Sequence, residues 1–388
     1  MSVLDTIMGE LHDRKAYLAD TYAPYYVYSY GVHAFNLHNQ RCKLYSEGGQ
    51  LPNMRLSILF VAPSGFMKTY YRRQMVDRTS GIFTGCKVQL GYEQELSGAG
   101  LVGTFKPYKD PTTTCDIEVE GAAKTYQYGI VSVDEFSGIT NALTSHYNNQ
   151  MDSQLLMILD SGEVFKHLGS GKIEFITYMT LWAGVQPARY DLRSGMGRRM
   201  VFLVFIPTKH DNANLIRAQH DAQNIAQDNV RMTHIWDEVN TWVDDINKIE
   251  RIEFDESLTE LYLNMDLFSF EVSYFNRLAL GYELAVNGPR KKITVDAHDK
   301  GIREMFEQQK QWRTNIMIGI EVVQMAKLIS MGGIEDKEGN ISIDRRKLMT
   351  DATMVGWNAG QVNEKLQELM KQGFVKIRGH NITLECEL

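Results

Sequence analysis

Paired cysteines, a long apolar run, a basic leader and an excess of positive charge are all missing from this 388-residue chain. Its four cysteines, Cys42, Cys86, Cys115 and Cys386, are scattered with no Cys-x-x-Cys pair. That spacing argues against a structural zinc site or a disulfide framework and fits a reducing compartment. No stretch approaches the roughly 20 apolar residues of a membrane span, and no apolar segment follows a basic N-terminus. The expectation is a cytoplasmic protein of a prokaryote, virus or plasmid. A formal net charge of -7 supplies no global basic field, so any contact with nucleic acid must come from local patches.

What is present is an ordinary globular composition, 44% hydrophobic and 23% charged, long enough for one large domain and a small one. The 19 methionines read as core filler. The chain is organised around residues 55–69. Arg55-Leu56-Ser57-Ile58-Leu59-Phe60-Val61 reads as a buried strand, Ala62-Pro63-Ser64-Gly65-Phe66-Met67 as a turn, and Lys68-Thr69 as the start of a helix. Backbone N–H groups and the positive end of a helix can cradle a polyphosphate there, while Lys68 and Thr69 reach phosphate and Mg²⁺. The phosphate-loop pattern wants glycine at its first and sixth positions, where this chain has Ala62 and Met67. Only Gly65 supplies backbone freedom inside the turn.

A second motif lies 66 residues on. Tyr128-Gly129-Ile130-Val131-Ser132-Val133-Asp134-Glu135-Phe136 is an apolar strand ending in two carboxylates. Beside a loop lysine, Asp134 would hold Mg²⁺ and Glu135 would orient and deprotonate the attacking water. A bland alternative is an acid pair favoured by a helix start.

The rest of the chain supplies context. Residues 1–50 predict a helix over 3–18 and then the run Tyr22 to Tyr30, read as a half-buried extension in preference to a base-stacking surface. Alternating strand and helix signals from 55 to about 207 predict a parallel α/β sheet. Within it fall a polar hairpin around Asp110-Pro111, a helix over 138–159, a hairpin over 163–175 turning at Gly169-Ser170-Gly171, and strands at 178–187 and 197–205. Residues 212–310 read as mainly helical, with stretches at 228–248, 267–286 and 294–310, the last opened by Thr294 and Asp296. Helices near 315–330, 344–352 and 359–372 then precede a terminal hairpin over 374–385, the pattern of a winged helix.

Taken in order, these motifs resemble the AAA+ core of the minichromosome maintenance (MCM) replicative helicases. That family also replaces the sixth-position glycine, with alanine where this chain has Met67. Ser97 to Gly103 with Lys109-Asp110 and Ile117 to Ala123 resembles its helix-2 insert, and Ile130 to Phe136 its Walker B strand. The resemblance implies an AAA+ P-loop NTPase with an α/β subdomain over 51–210, a helical lid over 211–310 and a winged helix over 311–388. It implies ATP and Mg²⁺ as ligands, held by residues 62–69, with Thr69 and Asp134 on the metal. It implies a presensor hairpin whose Lys166, with His167 and Lys172, faces DNA. Ala183 to Asp191 resembles its sensor-1 stretch, with Gln186 where the family has asparagine. Arg199, with Arg198 as neighbour, falls at the arginine finger that completes an adjoining subunit's site. Ser273 stands at the usual sensor-2 arginine and Arg277 one turn on, so Arg277 is the candidate there. The family's large N-terminal domain has no counterpart.

The function expected is an ATP-driven DNA translocase or helicase working as a homo-oligomeric, hexameric ring in DNA replication. A second possibility is an ATP-switched assembly protein on DNA that does not unwind it; a third is a catalytically weak scaffold. The winged helix suits phosphate contact through Lys376, Arg378 and His380 or a replication or mobile-element protein partner equally well.

Overall fold

A computed structural model describes residues 2–46, 49–94, 96–109, 114–136, 149–186, 199–224, 229–267, 269–337 and 340–385. Five strands form its central sheet: β1 (Ser57–Val61), β2 (Leu90–Glu93), β3 (Ile130–Val133), β4 (Thr180–Val185) and β5 (Met200–Val204). Their spatial order is β5-β1-β4-β3-β2, and every pairing is parallel. Strands β1, β3, β4 and β5 are buried at every residue. Unbroken apolar runs such as Ser57-Ile58-Leu59-Phe60-Val61 are what a sheet covered on both faces requires. All five strands run the same way, so the turns after β1, β3 and β4 open on one rim.

The N-terminal aromatic run departs from expectation. It is no half-buried extension: α1 (Val3–Asp13) is followed by α2 (Ala19–Cys42), a helix in which seventeen residues are buried. Tyr22 meets Phe60 edge-on at 5.1 Å and donates its hydroxyl to the Val204 carbonyl at 3.0 Å. Tyr26 meets Trp182 at 5.0 Å, and the Trp182 indole N–H donates to Ser29 Oγ at 2.7 Å. The run therefore lies across β5, β1 and β4. Pro24 sits inside it without ending it. A helix buried all round carries no amphipathic stripe, so the usual periodic signal was absent.

Two antiparallel hairpins project from the α/β unit, one pairing 103–109 with 114–120 and the other 163–168 with 171–176. They touch each other: a Cβ on Gly171 would lie 2.8 Å from the Phe105 ring. The expected turn at Asp110-Pro111 and the first part of the expected 138–159 helix fall outside the described residues, whereas Asn149–Leu159 is helical. Helices at Asn229–Ile246 and Ser269–Val286 agree with expectation, and Lys209–Asn224 and Glu256–Asn264 add to them. Thr294 and Asp296 do not open a helix, because Lys292–Val295 is a strand paired in parallel with Arg251–Phe254. The helix begins at Lys300, where the Asp299 side chain accepts from the Gly301 N–H at 2.8 Å.

At Gly319, with φ of 106°, the path bends by 103° between Lys300–Ile318 and Ile320–Gly332. The helix expected over 315–330 straddles this break. Beyond it, three helices (Ile320–Gly332, Arg345–Met354 and Ala359–Lys371) and a four-stranded antiparallel sheet enclose a separate small core. Among the described residues no single helix is long and apolar enough to cross a membrane.

Candidate functional site

A cleft of about 210 Å³ opens on the rim where β1, β3 and β4 end. Its floor is the turn from β1 into α3 (Lys68–Val76), with Ala62 buried, Pro63 half-buried and Ser64 and Gly65 exposed at the tip. Gly65 turns the chain with φ of 81°. Phe66 anchors one side against Phe205, ring centres 5.9 Å apart. Met67 has φ of 26° and a fully buried side chain. At the position where the pattern reserves glycine, the chain takes a positive φ with a methionine and holds it by packing that side chain into the core.

The polar groups of the two motifs meet here. Lys68 is buried and donates Nζ to the Ala62 and Pro63 carbonyls at 2.7 and 3.1 Å. Thr69 Oγ1 donates to Asp134 Oδ1 at 2.9 Å, and Arg72 Nη2 stands 3.4 Å from Asp134 Oδ2. Gln186 Nε2 donates to Glu135 Oε2 at 3.1 Å. The backbone fixes the acids: the N–H groups of Asp134, Glu135 and Phe136 donate to the carbonyls of Glu93, Gln94 and Gly184 at 3.1, 3.1 and 2.7 Å.

Sequence reasoning missed three contributors. Gly184 permits the close approach, since a Cβ there would lie 2.7 Å from the Asp134 carbonyl oxygen and 3.1 Å from Lys68 Cδ. Arg72 pairs with Asp134, and Gln219 lines the cleft from the helix at 209–224. Arg72 stands one turn after Lys68, so helical spacing alone could have flagged it. Gly184 and Gln219 carry no local signal.

Several expected residues lie elsewhere. Arg277 is not in the cleft: it is half-buried at the opposite end of the sheet, donating Nη1 to the Arg55 carbonyl and Nη2 to Ser273 Oγ, both at 3.0 Å. Arg199 immediately precedes β5 and so stands at that same far end, paired with Asp160. A five-residue strand, on the order of 16 Å, separates that end from the cleft. Burial pushes the Arg277 guanidinium below its ordinary pKa; Asp160 opposes the shift and Arg199 adds to it. Arg198 lies outside the described residues, as do Pro187 and the stretch to Asp191.

On the 163–176 hairpin, Lys166 donates Nζ to the Gly103 carbonyl at 2.9 Å and is half-buried, which pushes its pKa down. Lys172 pairs with Glu174 and lies over the Phe165 ring. His167 is exposed. The expected phosphate-facing lysines therefore already hold intramolecular partners.

A helix N-terminus, a lysine, a hydroxyl, two carboxylates and an amide on one rim can take a polyphosphate with a hard divalent cation and can orient a water. Among the described residues no group of three or more histidine, cysteine, aspartate or glutamate side chains could hold a metal ion. The Thr69 hydroxyl and Asp134 carboxylate are nonetheless hard oxygen donors in contact with each other. That pair fits Mg²⁺, which takes one or two protein oxygens with substrate phosphates and water. No known protein-family model matches this chain, and no curated protein matches it either.

Proposed function

We propose that the protein is an AAA+ ATPase of MCM type, with a helical lid and a C-terminal winged helix, that works on DNA as an oligomer. The observation that carries the reading is Thr69 hydrogen-bonded to Asp134, with Gln186 on Glu135 beside it, at the carboxyl ends of adjacent parallel strands. In order of appearance along the chain the strands lie 5-1-4-3-2, which sets the loop strand and the acid strand on either side of β4 and its Gln186. The three helices and antiparallel sheet of 320–385 support the winged-helix assignment, and the paired hairpins support the presensor and helix-2 assignments.

In this reading Lys68 leaves the carbonyls of Ala62 and Pro63 for phosphate oxygens, while Thr69 and Asp134 hold Mg²⁺. The cation neutralises charge on the transferring phosphoryl group when bound. Glu135 takes the proton of the attacking water, and Gln186 fixes the Glu135 carboxylate and reaches the same water. Arg199 faces away from its own cleft and acts on a neighbour's, so turnover requires assembly.

Titration with a fluorescent ATP analogue, followed by phosphate release, tests this. Lys68→Ala should abolish binding, and Glu135→Gln should retain binding with turnover reduced at least a hundredfold. Normal turnover by the Glu135 variant would remove the assigned base. The second reading, an ATP-driven switch on DNA without unwinding, is favoured by one observation: Lys166 and Lys172 are engaged within the chain. ATPase stimulation by DNA with no displaced strand on a forked duplex would select it.

A further inference from the structure

A second cleft, of about 280 Å³, lies on the flank of α3 beside edge strand β2 and is lined by Arg72, Arg73, Asp77, Arg78, Tyr92 and Glu93, among others. We propose that it binds the phosphodiester backbone of a single polynucleotide strand and that Arg72 couples it to the Mg²⁺-nucleotide site; the coupling rests on the nucleotide reading above. Three guanidinium groups face two carboxylates here. One carboxylate oxygen is already engaged, since Asp77 Oδ1 accepts from the N–H and hydroxyl groups of both Thr79 and Ser80. The Arg73 side chain is exposed and has no hydrogen-bond or ion-pair partner among the described residues, its backbone carbonyl alone accepting from the Asp77 N–H. Arg78, also exposed, lies over the Tyr92 ring at 5.5 Å. A guanidinium stacked on a ring keeps its N–H edge available in the plane, the geometry that takes a phosphate.

The aromatic wall decides between candidate anions. An acidic peptide would use only the N–H edges of the arginines, whereas a nucleic-acid strand offers phosphates to those edges and a base face to the exposed Arg78 guanidinium plane that lies over Tyr92. On the 163–176 hairpin Lys166 is tied to the Gly103 carbonyl and Lys172 to Glu174, whereas in this cleft Arg73 and Arg78 have no carboxylate partner among the described residues and only Arg72 is paired, with Asp134. One side chain spans the two sites. Arg72 lines the basic cleft and also a gap of about 10 Å³ shared with Lys68 and Asp134. Its hold on Asp134 is loose, 3.4 Å where a charge-assisted pair closes to about 2.8 Å, and its Nε is buried without a partner. A phosphate in the cleft competes for Arg72, and the Asp134 carboxylate it releases is left to the cation. Linkage makes the effect reciprocal: strand binding tightens Mg²⁺-nucleotide, and Mg²⁺-nucleotide tightens strand binding.

The test is fluorescence anisotropy of labelled oligo-dT and oligo-U with the full chain, over a salt series, with and without a non-hydrolysable ATP analogue and Mg²⁺. Replacing Arg73 and Arg78 together by alanine should weaken strand binding at least tenfold. It should also flatten the log–log salt slope by about 1.4, at about 0.7 for each phosphate that is no longer neutralised. The double lysine replacement should recover most of both effects, and an unchanged thermal midpoint verifies folding of each variant. Arg72→Gln should abolish the tightening of nucleotide by oligonucleotide. Wild-type affinity and slope in the double alanine variant, or preference of the wild-type chain for poly-glutamate over both oligonucleotides, overturns the cleft. Tightening that persists in Arg72→Gln overturns the coupling. Fluorescent-nucleotide binding without oligonucleotide reports on the nucleotide reading alone, so the two can fail separately.

Discussion

At the scale of single residues, the site depends on how closely a few side chains approach. Gly184 is the tightest case, because any Cβ would push on the Asp134 backbone and on the Lys68 stem together. Gly184→Ala should therefore weaken ATP-analogue binding at least tenfold while costing about 1–3 kcal/mol of stability, the usual cost of overfilling a packed site. Parallel nucleotide titration and urea unfolding check it. His33 tests burial instead. Its Nε2 lies 3.2 Å from the Tyr128 carbonyl and must donate, so Nδ1, 2.8 Å from Thr180 Oγ1, accepts the hydroxyl proton and the ring is neutral. Burial lowers its pKa from 6.5 to about 4, with Arg55 adding to the effect. Since the unfolded chain binds the proton first, this stability is present above pH 6.5 and lost as pH falls towards 4. The gap corresponds to about 3 kcal/mol. Urea midpoints between pH 7 and 4.5 should fall more steeply for the wild type than for His33→Gln; equal slopes would show that His33 protonates freely in the folded chain.

At the scale of elements, α2 organises the α/β unit, and its packing against the helices Asn229–Ile246 and Ser269–Val286 explains a glycine in mid-helix. A Cβ on Gly31 would lie 2.6 Å from Trp242 Cη2, and that indole is pinned by its N–H donating to the Leu284 carbonyl at 2.8 Å. Alanine is worth about 1 kcal/mol over glycine as a helix former, yet forcing the indole aside costs about 1–3 kcal/mol. Gly31→Ala is therefore expected to lower the urea midpoint, and a raised midpoint would mean the indole yields freely. Four of the five sheet strands were legible because each is a continuous apolar run bounded by turns, whereas the edge strand Leu90–Glu93, half-exposed and holding a glycine and a glutamate, carried no such run; the two hairpins were legible because glycine or polar clusters interrupt alternating runs. Helix α2 was not, since burial all round erases periodicity. The false helix start at Thr294 has a related cause: a capping residue signals a helix only where no strand partner competes for the backbone.

At the scale of the whole molecule, Arg199 and the cleft lined by Lys68, Asp134 and Glu135 occupy opposite ends of the sheet, so on the proposed function one chain cannot supply both to a single site. Neither Arg199→Ala nor Glu135→Gln should hydrolyse ATP alone. Mixing the two should restore activity at interfaces where an intact finger meets an intact cleft, following a binomial dependence on mixing ratio. Failure at every ratio would count against action between subunits. On the proposed function, the net charge of -7 leaves any attraction for DNA to local clusters such as the α3 arginines, so strand binding should fall steeply with salt.

From the sequence alone came what short stretches of chain can encode: the strand, turn and helix of residues 55–69, the acid pair that ends β3, the alternating α/β order and the small C-terminal unit. Tertiary structure alone decided which partner each polar group takes. Thr69 finds Asp134, Gln186 finds Glu135, Lys166 turns to Gly103 and Arg277 to Arg55, across separations of 65, 51, 63 and 222 residues. Spacing along the chain fixes a side chain's own element and face, whereas its partner depends on how distant elements close together when the sheet is assembled and covered.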